Sequence, residues 1–467
     1  MMFRPVILWT DALIFVLLAV ILLFAVYVRR HAHLRAPWRG VMRRPTGLAS
    51  AMVLAVFVII GLLDSLHYRP ALPVQPGQSA QYGVEVLSVL DSLLTDLRMH
   101  TEKTYSAPLA THLYAKETLV LADGRAVRVY PQLEYGGAQL ADPQSDWAKD
   151  IACRAAVGGA KGLVLAGALV LIALAGWALK TRTRLAQAAR GIAAGALPWR
   201  TAILMLSLLV VSGCVLAELA ASYHVFGTDK VGQDVLYGTL KSIRTGLVIG
   251  TLTTLVMLPF ALLLGIMAGY FRGWVDDVIQ YIYTTLNSIP GVLLIAAAVL
   301  IMQIYIEAHA DVFDTAAART DFRLLFLCLI LGVTSWTGLC RLLRGETLKL
   351  RELDYIQAAT AFGVSDWRII TRHILPNLQH LVLISVVMDF SGLVLAEAVL
   401  SYVGVGVDPA MHSWGNMINS ARLEMAREPV VWWQLTAAFV FMFALVLAAN
   451  LFADSVRDAF DPRGKRT

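Results

Sequence analysis

The chain is short of charge and short of cysteine. Charged residues make up 15% of its 467 residues and hydrophobic residues 58%, where a soluble chain carries about 25% charge. The apolar residues are gathered into long runs. An ordinary soluble fold is therefore excluded, and an all-α polytopic membrane protein is expected. Four cysteines are present, at 153, 214, 328 and 340. They show no metal or redox spacing, and three lie in or beside apolar runs, so they read as small buried hydrophobes. No G-x-x-x-x-G-K-[ST] phosphate loop occurs, since Gly464-Lys465 lacks both the preceding glycine and a following helix; ATP is not bound by that route. Neither H-E-x-x-H nor G-x-S-x-G is found, and no nucleophile triad is suggested. No catalytic residue, metal ligand or cofactor of its own is expected. The net charge of +6 needs no nucleic acid, because membrane proteins collect Lys and Arg in cytoplasmic loops.

What is present is a series of about nine candidate spans, at 7–28, 48–66, 162–179, 202–221, 247–270, 288–306, 324–342, 381–402 and 433–452. Arg4 alone precedes the first, while Arg29, Arg30, Arg35, Arg39, Arg43 and Arg44 follow it. That asymmetry puts the N-terminus outside and 29–46 in the cytoplasm. No small-residue cleavage site ends the run, so it reads as a span and not a signal peptide. Arg457, Arg463, Lys465 and Arg466 place the C-terminus in the cytoplasm.

Residues 69–161 carry nine Lys/Arg and ten Asp/Glu with no spanning run. Leu87, Leu90, Leu94 and Leu97 mark one face of a helix. Residues 118–121 and 126–130 flank Ala-Asp-Gly-Arg, a hairpin turn. A small extracytoplasmic α+β insert is expected, either bracing the spans or touching a binding protein. The division that follows is a transmembrane hairpin over 1–68, the insert over 69–161, a third extra span with its cytoplasmic loop over 162–201, and a six-helix core over 202–463.

The stretch 352–376 is a polar island between apolar runs. Good helix formers fill 352–362, with Leu353, Ile356 and Thr360 on one face and Ala359 beside them. Gly363 ends that helix with a left-handed residue. Ser365 caps a second short helix, Asp366 favours its first turn, and Pro376 ends the unit. Such a unit is suited to a soluble partner.

Ala358-Ala359, then Gly363, then Leu375-Pro376 resembles the EAA loop of ABC importer permeases. Gln357 stands where the broad motif has Glu, and His373 where it has an aliphatic residue. The run from Arg372 to Asn377 is typical of the oligopeptide/dipeptide (peptide/nickel) branch. Residues 224–250 resemble that branch's signature before its second core span, with Gly227, Thr228, Asp229, Gly232 and Asp234 in register and Arg244, Leu247 and Gly250 matching. Gln233, Ser242 and Gly246 depart from it. Gly227 and Gly232 allow tight turns, and Asp229 and Asp234 suit a helix start; the spacing of calcium ligands is absent. Residues 400–418 and 453–463 resemble the branch's last outer loop and C-terminal signature. The likeness covers about 202–463.

The resemblance implies the membrane subunit of an ATP-driven importer in a bacterial-type inner membrane, forming half of a path for peptides or peptide-like solutes. It implies a second homologous permease, two cytoplasmic ATPases that hold ATP and Mg, and an extracytoplasmic substrate-binding protein. Gln357, Ala358, Ala359, Gly363, Ser365 and Asp366 would couple to an ATPase.

Charges inside apolar runs usually face a bundle interior or a water path. Asp389, near a span centre, and Glu397, near its end, are the path candidates, against a role in helix–helix hydrogen bonding or local packing. Central carboxylates also suit an ion-gradient-driven secondary transporter, the alternative reading, although no inverted repeat supports it. A membrane-anchored sensor using the insert as receptor would leave 352–376 without a purpose.

Overall fold

The computed structural model describes residues 3–72, 81–120, 126–140, 142–181, 198–309, 311, 313 and 315–460. Among them, nine helices are long and apolar enough to cross a membrane. This agrees with the expected polytopic fold, because a helix satisfies every backbone group internally where no water can.

Strand β1 (Phe3–Val6) leads into α1 (Trp9–Arg30). The amphipathic α2 (Ala32–Arg43) follows, and α3 (Pro45–Asp64) returns to the starting end. There β2 (His67–Pro70) pairs antiparallel with β1, Val6 opposite His67 and Phe3 opposite Pro70. The pairing fixes the chain start and the insert on one side of the bundle. A two-residue strand, β3 (Leu87–Ser88), adds a third member to the sheet.

The single amphipathic helix expected near residue 90 is instead two short ones, α4 (Val89–Leu93) and α5 (Thr95–Met99). Ser88 and Asp91 form a reciprocal capping box that fixes the first. The Thr95 hydroxyl bonds back to the carbonyl of Ser92 at 2.8 Å, which competes with continuing the helix. The expected hairpin is present as β4 (Glu117–Val120) and β5 (Ala126–Val129), Val120 opposite Ala126; its turn lies outside the described residues.

Helix α6 (Pro143–Thr181) runs 39 residues, about 58 Å at 1.5 Å per residue. The insert boundary drawn at 161 therefore falls inside a helix. The apolar signal starts only where the helix enters lipid, so the polar first half escaped it. Helix α7 (Trp199–Ala220) packs back along α6. Gly158 and Gly162 make that approach possible, since a Cβ there would stand 2.8 Å and 2.7 Å from the Cα atoms of Val215 and Val211. Most of the basic loop between α6 and α7 lies outside the described residues.

Helix α8 (Val235–Phe271) is the bundle's centre. It begins 12 residues before the expected span, because Asp234 caps it through the N–H of Leu236 at 2.7 Å. Next come α9 (Trp274–Ser288), α10 (Gly291–Ala308) behind Pro290, and α11 (Ala316–Ser335) meeting α12 (Thr337–Arg351) at Trp336. Gly265 and Gly269 let α12 lie against α8: a Cβ would come 2.8 Å from the Cys340 carbonyl and 2.6 Å from Thr347. Helices α13 (Asp354–Ala361), α14 (Asp366–Ile369) and α15 (Leu375–Val403), then α16 (Trp414–Glu424) and α17 (Trp433–Phe460), complete the chain.

Packing divides the chain differently from a cut at 202. Helix α3 lies along both α8 and α17, whereas the main partner of α7 is α6. The bundle around α8 thus takes a helix from the N-terminal part, and the α6–α7 pair stands beside it.

Candidate functional site

The stretch 352–376 closes the end of the bundle away from the insert. Leu353 precedes α13, whose Ile356 is buried at 1% exposure. It sits with Ile369, Ile374, Tyr270 and Leu343 in one apolar cluster against α8 and α12. Gly363 holds φ +73, and the N–H of Val364 reaches the carbonyl of Ala359 at 3.1 Å, a left-handed helix stop. Ser365 starts α14 but makes no side-chain cap.

Asp366 instead accepts the Tyr270 hydroxyl at 2.7 Å. Arg351 donates to the Tyr270 carbonyl at 2.6 Å, and Arg272 pairs with Glu352. These bonds tie the stretch to the foot of α8. Pro376 does not end the unit. Helix α14 continues through a π-helical turn, Ile370–Ile374, into α15, with Pro376 in its first turn. The widened turn makes room for a residue without an N–H whose ring presses on the preceding turn.

The opposite surface is open. Gln357, Ala358, Gly363, Ser365 and Asp366 are exposed and Ala359 is half-buried. Phe362 is 87% exposed and Trp367 70%, and Tyr355 is exposed as well. Gln357 turns back on the stretch, donating to the Glu352 carbonyl at 3.2 Å.

The signature loop at the insert end is built in the opposite sense. Gly227 and Gly232 hold φ +69 and +78. A Cβ on them would lie 2.3 Å from the Ser106 carbonyl oxygen and 1.7 Å from that of Glu102. Thr228 is fully buried; its hydroxyl accepts the N–H of Ser106 at 2.6 Å and donates to the Thr104 carbonyl at 2.8 Å. Asp229 accepts the N–H groups of Val231 and Gln233 at 2.9 Å each, and burial nonetheless pushes its carboxyl up.

His224 lies between two carboxylates, Nδ1 2.7 Å from Asp234 and Nε2 3.4 Å from Glu102. Glu102 also accepts backbone N–H bonds from Glu134, Tyr135 and Gly136 at 2.9–3.2 Å. Burial works against an imidazolium here, but the hydrogen bonds and charges of Asp234 and Glu102 outweigh it and push His224 up to about 9. Burial raises the Glu102 carboxyl, and the bonds from His224 and the backbone more than reverse this, pulling it down to about 2. The loop, the insert and the start of α8 are clamped together by one imidazolium. Its five predicted residues are spent on internal bonds and turns.

Residues 261–466 match the family described as binding-protein-dependent transport system inner membrane component. The glutathione transport system permease protein of Pectobacterium atrosepticum is 35% identical over 252 residues, 54% of this chain and 76% of that one. An oligopeptide transport system permease protein of Mycobacterium bovis is 31% identical over 242 residues, 52% and 77% of the two chains. One from Haemophilus influenzae is 29% identical, covering 53% and 73%.

The chain belongs to this family. It is an importer permease, a multi-pass inner-membrane protein and the membrane subunit of an ATP-driven transporter. The ion-gradient-driven alternative is set aside by the same matches.

Within the permease, Glu397 is buried and accepts the Ser401 hydroxyl at 2.7 Å beside α16. Asp389 is half-buried in α15 and makes no hydrogen bond or ion pair among the described residues. The two are two turns apart on one helix, and neither touches the signature loop.

A third cluster escaped sequence reading. Arg244 is buried in α8 and pairs with Asp11 of α1 at 2.6 Å and Asp321 of α11 at 3.4 Å. Asp321 also accepts the N–H of Thr10 at 3.0 Å, and Asp11 faces His67 at 2.8 Å. One turn nearer the insert, Lys241 meets Asp64 at 2.5 Å and Asp91 at 3.0 Å. The permease's first helix is thus fastened to α8 by a buried ion pair. The available signal was electrostatic: acids at 11 and 321 inside apolar helices each demand a buried cation.

Proposed function

We propose that this permease forms half of a translocation path for peptides or peptide-like solutes, as the names of its relatives suggest. In this reading a second homologous permease supplies the other half. Two cytoplasmic ATPases, which hold ATP and Mg, dock on residues 352–376 and on the equivalent stretch of the partner. A binding protein delivers cargo at the insert end. The N-terminus and insert then face outward and the C-terminus lies in the cytoplasm.

The observation that carries this reading is the two-sidedness of 352–376. Its apolar side is rooted on α8 and α12, while Phe362, Trp367, Gln357 and Ala358 face solvent. An element anchored in this way transmits displacement, because packed interfaces shift as units and do not deform continuously. Closure of the ATPase pair would press on 352–376, and α15, continuous with α14 through the π turn, would carry that shift into the bundle. Differential contact with open and closed ATPases is what moves the equilibrium.

The test is to co-purify the chain with its ATPases and replace Ala358 by Trp on the exposed face. Lost ATPase docking or uncoupled hydrolysis is expected, with the permease still inserted. Transport at the wild-type rate would overturn the coupling role. Cargo is read separately, from peptide-stimulated ATP hydrolysis with the binding protein present.

A further inference from the structure

A cavity of about 1280 Å³ opens between α1, α2, α8 and α15, larger than the roughly 300–1,000 Å³ of a small-molecule site. Ile21 and Phe24 of α1, Leu258 of α8 and Val386 of α15 give it apolar walls. Its two hydroxyls are already committed, Thr251 to the Leu247 carbonyl and Thr254 to the Gly250 carbonyl, both at 2.7 Å. Little is left to satisfy the amide groups of a peptide, so cargo does not suit the interior.

The rim has the reverse chemistry. Arg29, Arg35, Arg39 and Arg43 line it. None of the four has an ion-pair partner among the described residues, whereas the adjacent Arg44 is paired with Asp458. Trp38, Trp177 and Trp199 also line the cavity; tryptophans are common where hydrocarbon meets headgroups. Trp38 is held there edge-on to Phe460, ring centres 5.5 Å apart. Four like charges above an apolar cavity call for an anion that carries its own apolar body. Guanidinium groups bind phosphate in a bidentate fork, and basic pockets between membrane helices recognise acidic lipid headgroups.

We propose that this cavity is a site for one acidic phospholipid. Its acyl chains fill the space between α1, α8 and α15, and its phosphate sits among Arg29, Arg35, Arg39 and Arg43. The lipid joins the extra helix α1 to the core at the end opposite the Arg244–Asp11 pair. The inference rests on α1 and α8 crossing the bilayer and is independent of the coupling role of 352–376.

Native mass spectrometry of the full detergent-purified chain, titrated with phosphatidylglycerol and phosphatidylethanolamine of matched chain length, tests it. One phosphatidylglycerol per chain is expected to survive activation that strips phosphatidylethanolamine. The double variant R35A/R39A should weaken its retention at least tenfold. Ile21→Trp, which crowds the acyl-chain space beside α1 without changing charge, should do the same and covers the case in which the arginine variant fails to fold. Glycerol phosphate should not compete at millimolar concentration.

Equal retention of the two lipids, unchanged retention in Ile21→Trp, or displacement by glycerol phosphate would overturn the lipid site, the last leaving a simple anion site. So would cross-links from Ile21→Cys that report the second permease seated in the cavity.

Discussion

Gly232 in the signature loop and Gly363 in the stretch 352–376 share a left-handed backbone, φ +78 and +73. Around Gly232 there is no room: a Cβ would overlap the Glu102 carbonyl. Around Gly363 nothing lies within 4 Å. The same residue type thus marks two different duties. At the insert end, glycine lets two segments press together into a clamp. At the other end, it only turns the chain and leaves the surface open. A motif glycine is therefore informative about docking only once its surroundings are known.

The contrast is broken most severely at the clamp. Gly232→Val should cost more than about 4 kcal/mol, since a forbidden φ and a backbone overlap combine. Little monodisperse protein should be recovered, and residues 100–136 should become protease-sensitive. Arg244→Met comes next. It leaves Asp11 and Asp321 buried without their cation, which costs about 3–5 kcal/mol; the thermal midpoint in detergent should fall, and further than for the triple variant with Asp11→Asn and Asp321→Asn.

The imidazolium clamp gives a smaller effect that depends on pH. His224 is raised in the folded chain, so its contribution is fully present below its ordinary value of 6.5 and is lost as pH climbs through about 9. The loss is on the order of 3 kcal/mol. Glu102 is lowered, so its share is present above 4.5 and disappears as pH falls toward about 2. Hydrogen exchange across 100–136 should accelerate between pH 7 and 9.5, corrected for intrinsic rates, and His224→Gln should abolish that rise. The smallest structural effect belongs to the exposed face of 352–376. Phe362→Ala and Trp367→Ala should change stability by no more than about 0.5 kcal/mol while lowering ATPase co-purification. A large drop in thermal midpoint would mean that these side chains serve the fold and not a partner.

The spans were legible because an apolar run near twenty residues has few other uses. Their true lengths were not. Helices α6 and α8 extend well past the hydrocarbon on polar residues, where the hydropathic signal stops but the hydrogen-bond ladder does not. The bend at Gly363 was legible from local chemistry alone. The passage through Pro376 was not, because a π turn is a compromise between a proline and a helix that tertiary packing insists on continuing. Strands β1 and β2 are four residues each and both contain proline; only their pairing across α1 to α3 makes them strands. In the signature loop, the glycines and Asp234 were readable as turn and cap residues. Their partner Glu102 was hidden by a separation of 122 residues from His224. Asp11 and Arg244 were hidden for the same reason.

That last separation sets a timetable. Asp11 and the guanidinium that neutralises it are 233 residues apart, and ribosomes add roughly 5–20 residues per second. For some 10–50 s, the first helix carries an acid whose guanidinium partner has not yet been made, although His67, which faces it at 2.8 Å, is already in the chain. Asp321, on the far side of Arg244, arrives later still. The first helix therefore cannot take up its guanidinium contact until α8 has been synthesised, so its final seating waits on a helix made well after it.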